Sequence, residues 1–207
     1  KGAMLEPLVT DIDATFDSTI AGRTMYLRTN WNAPKQRVMA VDLDRPARPY
    51  WREVIPESTA VMTSLTAVGG RLFAVYLENV QSRIRMFGFD GAPAGEMTAP
   101  GVGVTSNISG EWERDEGFFT FSSLSTPTTI YRYTVSSGER QVWARLQVPV
   151  AEAPIDIKQV WFVSKDGTKV PMFVAHRRGL KLDGSNPALL TGYGGFNVSQ
   201  MPNFSSR

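Results

Sequence analysis

The chain has 207 residues, 42% apolar, 20% charged and 11% aromatic, with 22 basic against 20 acidic side chains, one histidine and no cysteine. This composition excludes wholesale disorder and a basic nucleic-acid footprint. The missing cysteines exclude a disulfide scaffold, a thiolate zinc site and a cysteine nucleophile, and no stretch approaches the ~20 apolar residues that cross a bilayer.

The opening KGAMLEPLVT lacks the apolar core of a signal peptide. From there to about residue 150 the chain alternates apolar and polar positions in short runs, the period-2 pattern of strands. Three runs read alike: Arg23–Thr29, Arg71–Leu77 and Gly117–Ser123. Each leads through a polar turn to a second strand, at Arg37–Leu43, Arg83–Phe89 and Thr129–Val135. A third follows at Trp51–Ile55, at a weak Gly95–Met97 and at Gln141–Leu146. Gly22, Gly70 and Gly117 lie 48 and 47 residues apart, and such a period with three or four strands per unit marks β-propeller blades. The turns Asn32-Ala-Pro-Lys35, Asp90-Gly91 and Ser136-Ser-Gly-Glu139 fall between strand pairs, as hairpins require. A β-sandwich with a chance period is the alternative. Three blades do not close a ring, so two sheet edges need cover.

After Val150 the pattern changes. A linker is expected at 151–156, then strands at Gln159–Val163 and Val170–Ala175 around a turn centred on Asp166-Gly167. A polar loop over 177–187 leads to Ala188-Leu-Leu-Thr191, whose apolar run predicts a strand buried on both faces. No helix pattern follows, and the chain is read as cut short. The fold class expected is mostly β: a partial propeller over 1–150, then a truncated α/β domain over 151–207.

Two sets of residues carry a resemblance. Ser164-Lys-Asp-Gly-Thr-Lys-Val-Pro-Met-Phe173, Leu182-Asp-Gly184 and Gly192-Tyr-Gly-Gly-Phe-Asn197 resemble the opening of the peptidase domain of the prolyl oligopeptidase family of serine peptidases. Thr29-Asn-Trp-Asn-Ala-Pro34, Trp51-Arg-Glu-Val-Ile-Pro56, Tyr76-Leu77 and Phe121-Ser-Ser-Leu-Ser-Thr-Pro127 resemble that family's later blades. The resemblance implies about three blades of a seven-bladed propeller, followed by the first strands of an α/β-hydrolase domain. It implies an endopeptidase that cuts short peptides after proline through an acyl-enzyme. It also implies a monomer that needs no cofactor, metal, nucleic acid or membrane, in the cytoplasm or, alternatively, the periplasm. Oligopeptidase B and acylaminoacyl peptidase are related alternatives, and a non-catalytic propeller scaffold is the rival from another class.

A serine triad needs a nucleophile, an imidazole and an orienting carboxylate, and the hydrolase nucleophile sits in a G-x-S-x-G elbow. The sequence has no such pentapeptide. The resemblance places the triad beyond residue 207, so the chain alone is expected to be inactive. His176 is read as structural. By the resemblance, Tyr193 of GYGGF donates its phenol O–H to the oxyanion of the tetrahedral intermediate, and Phe196 walls the proline pocket, where a flat ring suits a pyrrolidine. The cluster Glu111, Glu113, Asp115 and Glu116 has no metal-ligand spacing and reads as a solvated loop. Asn107, Asn197 and Asn203 match glycosylation acceptors, a pattern common by chance. The five tryptophans, Trp31, Trp51, Trp112, Trp143 and Trp161, read as blade and strand packing.

Overall fold

A computed structural model of the chain describes residues 6–148, 154–196 and 198–205. Three antiparallel meanders follow one another. The first sheet runs β1 (Phe16–Ala21), β2 (Thr24–Thr29), β3 (Arg37–Asp42) and β4 (Arg52–Ile55), hydrogen-bonded in that order. The second repeats the order with β5 (Val61–Val68), β6 (Arg71–Glu78), β7 (Gln81–Phe87) and β8 (Pro93–Met97). In the third, β9 (Val104–Thr105) and β10 (Ser109–Gly110) both pair with β11 (Glu116–Ser122), which leads to β12 (Thr129–Thr134) and β13 (Arg140–Arg145). A separate hairpin joins β14 (Ile155–Val163) to β15 (Lys169–Arg177).

Alternate side chains of a strand point to opposite faces, and β6 buries both. Leu72, Ala74 and Tyr76 pack with Tyr26, Val38, Ala40 and Val54 of the first sheet. Phe73 and Val75, pointing the other way, pack with Ile108, Phe119, Phe121 and Tyr133 of the third. The sheets therefore stack face to face in chain order, as blades do. Polar ties cross the same seams. Tyr26 donates its hydroxyl hydrogen to the Phe89 carbonyl at 3.0 Å, and Arg28 donates to the Met62 carbonyl at 3.2 Å. The turn between β5 and β6 donates from Gly69 and Gly70 to the carbonyls of Glu111 and Trp112. Burial desolvates the Tyr26, Tyr76 and Tyr133 phenols and raises their pKa values.

The far face of the first sheet is covered by its own chain. Leu27, Met39, Val41 and Trp51 pack with Leu8, Val9 and Trp31, and the rings of Trp31 and Trp51 meet edge to face at 6.3 Å. On the far face of the third sheet Trp143 is exposed and set edge-on against Phe118.

Three expectations need correction or completion. The stretch Ala188–Thr191 is no strand: no backbone among the described residues pairs with it, and Leu189 and Leu190 are 94% and 83% exposed. Among the described residues of this chain the run has no ladder partner, so its amides are left to water. Each blade also has a strand the sequence reading did not name: β1, β5 and the broken pair β9–β10. Of the linker expected at 151–156, residues 151–153 lie outside the described residues, as does the boundary at 150, while Ile155 and Asp156 already belong to β14.

Candidate functional site

The residues singled out for chemistry follow β15. The polar loop is held locally: Asp183 accepts from the Ser185 amide and hydroxyl, and Asn186 donates to the Lys181 carbonyl at 2.6 Å. Those donors from Ser185 keep the Asp183 carboxyl below its ordinary pKa.

Beyond the exposed leucines the backbone turns. The Val198 amide donates to the Gly195 carbonyl at 3.1 Å, and Phe196 inside that turn has φ +53°, a left-handed conformation that costs an L residue about 1–2 kcal/mol. Phe196 is 93% exposed. Tyr193 is 53% exposed, with its ring folded back over Gly195. The structure thus places both aromatic candidates three residues apart in one exposed, tightly turned segment. Asn197, which completes the motif, lies outside the described residues.

From there the chain returns to the blades. Pro202 is buried, and the Phe204 amide donates to the Ser122 hydroxyl oxygen of β11 at 3.0 Å. Ser199 and Met201 close one side of a cleft of about 480 Å³ whose other walls include Thr63, Ser64, Thr105 and Asn107. This lining bears no formal charge. Thr63 is the extra residue where the pairing of β5 with β6 slips between Met62 and Ser64. The Thr105 hydroxyl is buried in the cleft wall without a partner. Tyr193 and Phe196 do not line this cleft.

The remaining residues fall apart chemically. His176 sits at the exposed end of β15, with Nδ1 2.9 Å from the Arg177 carbonyl oxygen. The acidic cluster is divided among separate partners: Glu111 pairs with Arg114, Glu116 with Arg132, and Asp115 accepts from the Ser136 amide and hydroxyl. Among the described residues, no group of three or more His, Asp or Glu side chains is arranged to hold a metal ion.

Sequence reasoning missed one junction. The side chain of Gln159 on β14 reaches across to the tip of the β6–β7 hairpin, accepting from Gln81 Nε2 at 2.7 Å and donating to the Asn79 carbonyl at 2.5 Å. No sequence signal marks it, because glutamines 78 residues apart carry no pattern that pairs them.

Comparison with known proteins agrees with the stacked-sheet fold. The chain is 35% identical over 184 residues to a prolyl endopeptidase of Elizabethkingia miricola, covering 89% of this chain and 26% of that protein. It superposes with TM-score 0.82 and 42% identity on a structure from work on two prolyl endopeptidases and the role of inter-domain dynamics in catalysis and specificity, covering 96% of this chain and 30% of the other. It superposes with TM-score 0.80 and 31% identity on prolyl oligopeptidase B of Galerina marginata bound to a 35mer substrate of hydrolysis and macrocyclization, covering 96% and 28%. The chain therefore spans between a quarter and a third of these relatives' length. Residues 1–145 match the family model described as prolyl oligopeptidase, N-terminal beta-propeller domain. With three stacked antiparallel sheets inside that match, the chain belongs to the prolyl oligopeptidase family.

Proposed function

We propose that the complete protein is a serine endopeptidase that cleaves proline-containing peptides on the carboxyl side of proline. This chain supplies three propeller blades over 1–150 and the start of the peptidase domain over 151–207. The observation that carries the reading is the continuity of the match: the likeness to a prolyl endopeptidase structure covers 96% of the chain, beyond the blades and into the segment that bears GYGGF. A propeller scaffold without a peptidase would have no reason to continue that way.

The chemistry would run through an acyl-enzyme. A serine hydroxyl attacks the scissile carbonyl carbon, an imidazole takes its proton, and the carbonyl oxygen becomes an oxyanion. The imidazole then protonates the departing amine, and water repeats the sequence to release the acid. Serine, imidazole and carboxylate come from parts of the protein outside this chain. Tyr193 contributes a phenol O–H to the oxyanion, and Phe196 a flat apolar wall for the proline ring. The left-handed Phe196 supports an assignment at this turn, because strained backbone collects at functional sites. The substrate is a peptide of up to a few tens of residues, a length the Galerina relative accommodates.

Tyr193→Phe in the complete protein tests the reading. Loss of an oxyanion donor should lower kcat about 10²–10³-fold while KM changes little. An unchanged kcat removes Tyr193 from the site. The 207-residue chain by itself should leave a Gly-Pro reporter peptide intact.

A further inference from the structure

The junction at Gln159 joins two regions that the sequence keeps far apart, and both ends of its amide are used. The carboxamide oxygen accepts from Gln81 Nε2, and the carboxamide nitrogen donates to the Asn79 carbonyl. Gln159 lies mid-strand in β14, opposite Phe173 of β15, so the hairpin ladder fixes its position. Its partners sit on a two-residue turn between Glu78 and Gln81, which pair across the β6–β7 ladder. Asn79 and Val80 have φ +52° and +62°. A turn with both central residues left-handed favours Asn then Gly, and a β-branched residue in that conformation is an outlier. The turn is thus held in a shape Val80 disfavours, and that shape presents the Asn79 carbonyl to Gln159. The Phe204 amide on Ser122 separately ties the segment beyond the hairpin to the third blade.

We infer that Gln159 is a positioning residue that latches the β14–β15 hairpin to the second blade and sets how readily the two part to admit long peptides. The inference rests on the peptidase reading above. A latch of this kind discriminates by length: a dipeptidyl substrate needs little opening, whereas a peptide of some thirty residues needs the regions to separate. Two neutral hydrogen bonds, each of modest net strength, suit a contact that breaks and reforms in each cycle.

The test uses the complete protein with Gln159→Leu, which removes both bonds at similar volume. The readout is the ratio of kcat/KM for a 35-residue proline-containing peptide to that for a Gly-Pro reporter. The ratio should rise about five- to tenfold, with reporter turnover unchanged. Gln159→Glu sharpens the test. Ionised at pH 8, it keeps the acceptor for Gln81 but loses the donor to Asn79, and the ratio should rise part of the way toward that of Gln159→Leu. Protonated near pH 4 it can both donate and accept, and the ratio, in which the pH dependence of the chemistry cancels, should return toward wild type. Exchange of the Val80 and Gln81 amides reads the latch without turnover and should quicken about tenfold in Gln159→Leu. An unchanged ratio with unchanged exchange overturns the latch. A wild-type protein that cleaves neither substrate overturns the peptidase reading instead, and exchange still judges the latch. If Gln159→Leu does not fold, Gln81→Ala, at the surface turn, loses one of the two bonds and carries the same measurements.

Discussion

Strand β6 and the stretch 188–190 are both uninterrupted apolar runs, yet they meet opposite fates. From Leu72 to Tyr76 every side chain of β6 is buried, alternately against the first and third sheets, whereas Leu189 and Leu190 stand in water. Composition does not separate them. β6 has ladder partners on both edges, β5 and β7, and a sheet over each face. Residues 188–190 have neither among the described residues. An apolar run supplies a driving force, but the backbone must be paired before the side chains can be packed.

The largest effect that tests this contrast is at Phe73. Its ring is fully buried and set edge-on to Tyr133 at 6.1 Å, so Phe73→Ala should destabilise the blades by about 3–5 kcal/mol. In this 207-residue chain, where no described strand pairs with the stretch, Leu189→Ser should shift stability by less than about 0.5 kcal/mol. Urea midpoints of the propeller transition in the 207-residue chain provide the check. A comparable loss at Leu189 would show that the stretch is packed in solution and would break the contrast.

What the sequence made legible follows the same logic. The central strands β2, β6 and β11 and their neighbours stand out because alternation along the chain mirrors two covered faces. The first strand of each blade does not. In β5 the extra residue at Thr63 breaks the period of two, and β9 and β10 are two residues each, too short to show any period. The 188–190 run shows the converse: its pattern was visible, and the partner that would make it a strand was not. The candidate site was legible only as a motif. GYGGF can be read letter by letter, but the turn that puts Phe196 at positive φ and the reach of Gln159 to Asn79 depend on contacts over long separations.

A smaller effect compares two glycines of nearly equal φ, Gly91 at +89° and Gly167 at +86°. A side-chain carbon on Gly91 would lie 1.9 Å from the Val54 carbonyl oxygen of the neighbouring sheet, and one on Gly167 would meet nothing within 4 Å. Gly91→Ala should therefore cost about 3 kcal/mol, the left-handed penalty plus separation of two blades. Gly167→Ala should cost about 1 kcal/mol, the conformational part alone. Equal losses would mean that the seam between the first and second sheets yields freely.

The smallest effect is a titration, and it falls in the hairpin. Asp166 accepts from the Ser164 hydroxyl and, at 3.0 Å, from the Thr168 amide, and these bonds hold its pKa down to about 2 from the ordinary 3.8. A carboxylate with a depressed pKa stabilises the folded turn fully above its unfolded value, and loses that contribution as pH falls through the folded one. The Asp166 turn should thus be intact at pH 5 and loosen progressively between about pH 4 and pH 2. The carboxyl ¹³C shift of Asp166 should show a midpoint near 2, and exchange at the Thr168 amide, corrected for its intrinsic pH dependence, should quicken over the same range. The β6 core, held by burial of uncharged groups, has no titration of its own in that window. A midpoint near 3.8 would mean that the bonds from Ser164 and Thr168 do not form in solution, leaving the turn to its backbone bonds from Ser164 to Thr168 and from Gly167 to Ser164.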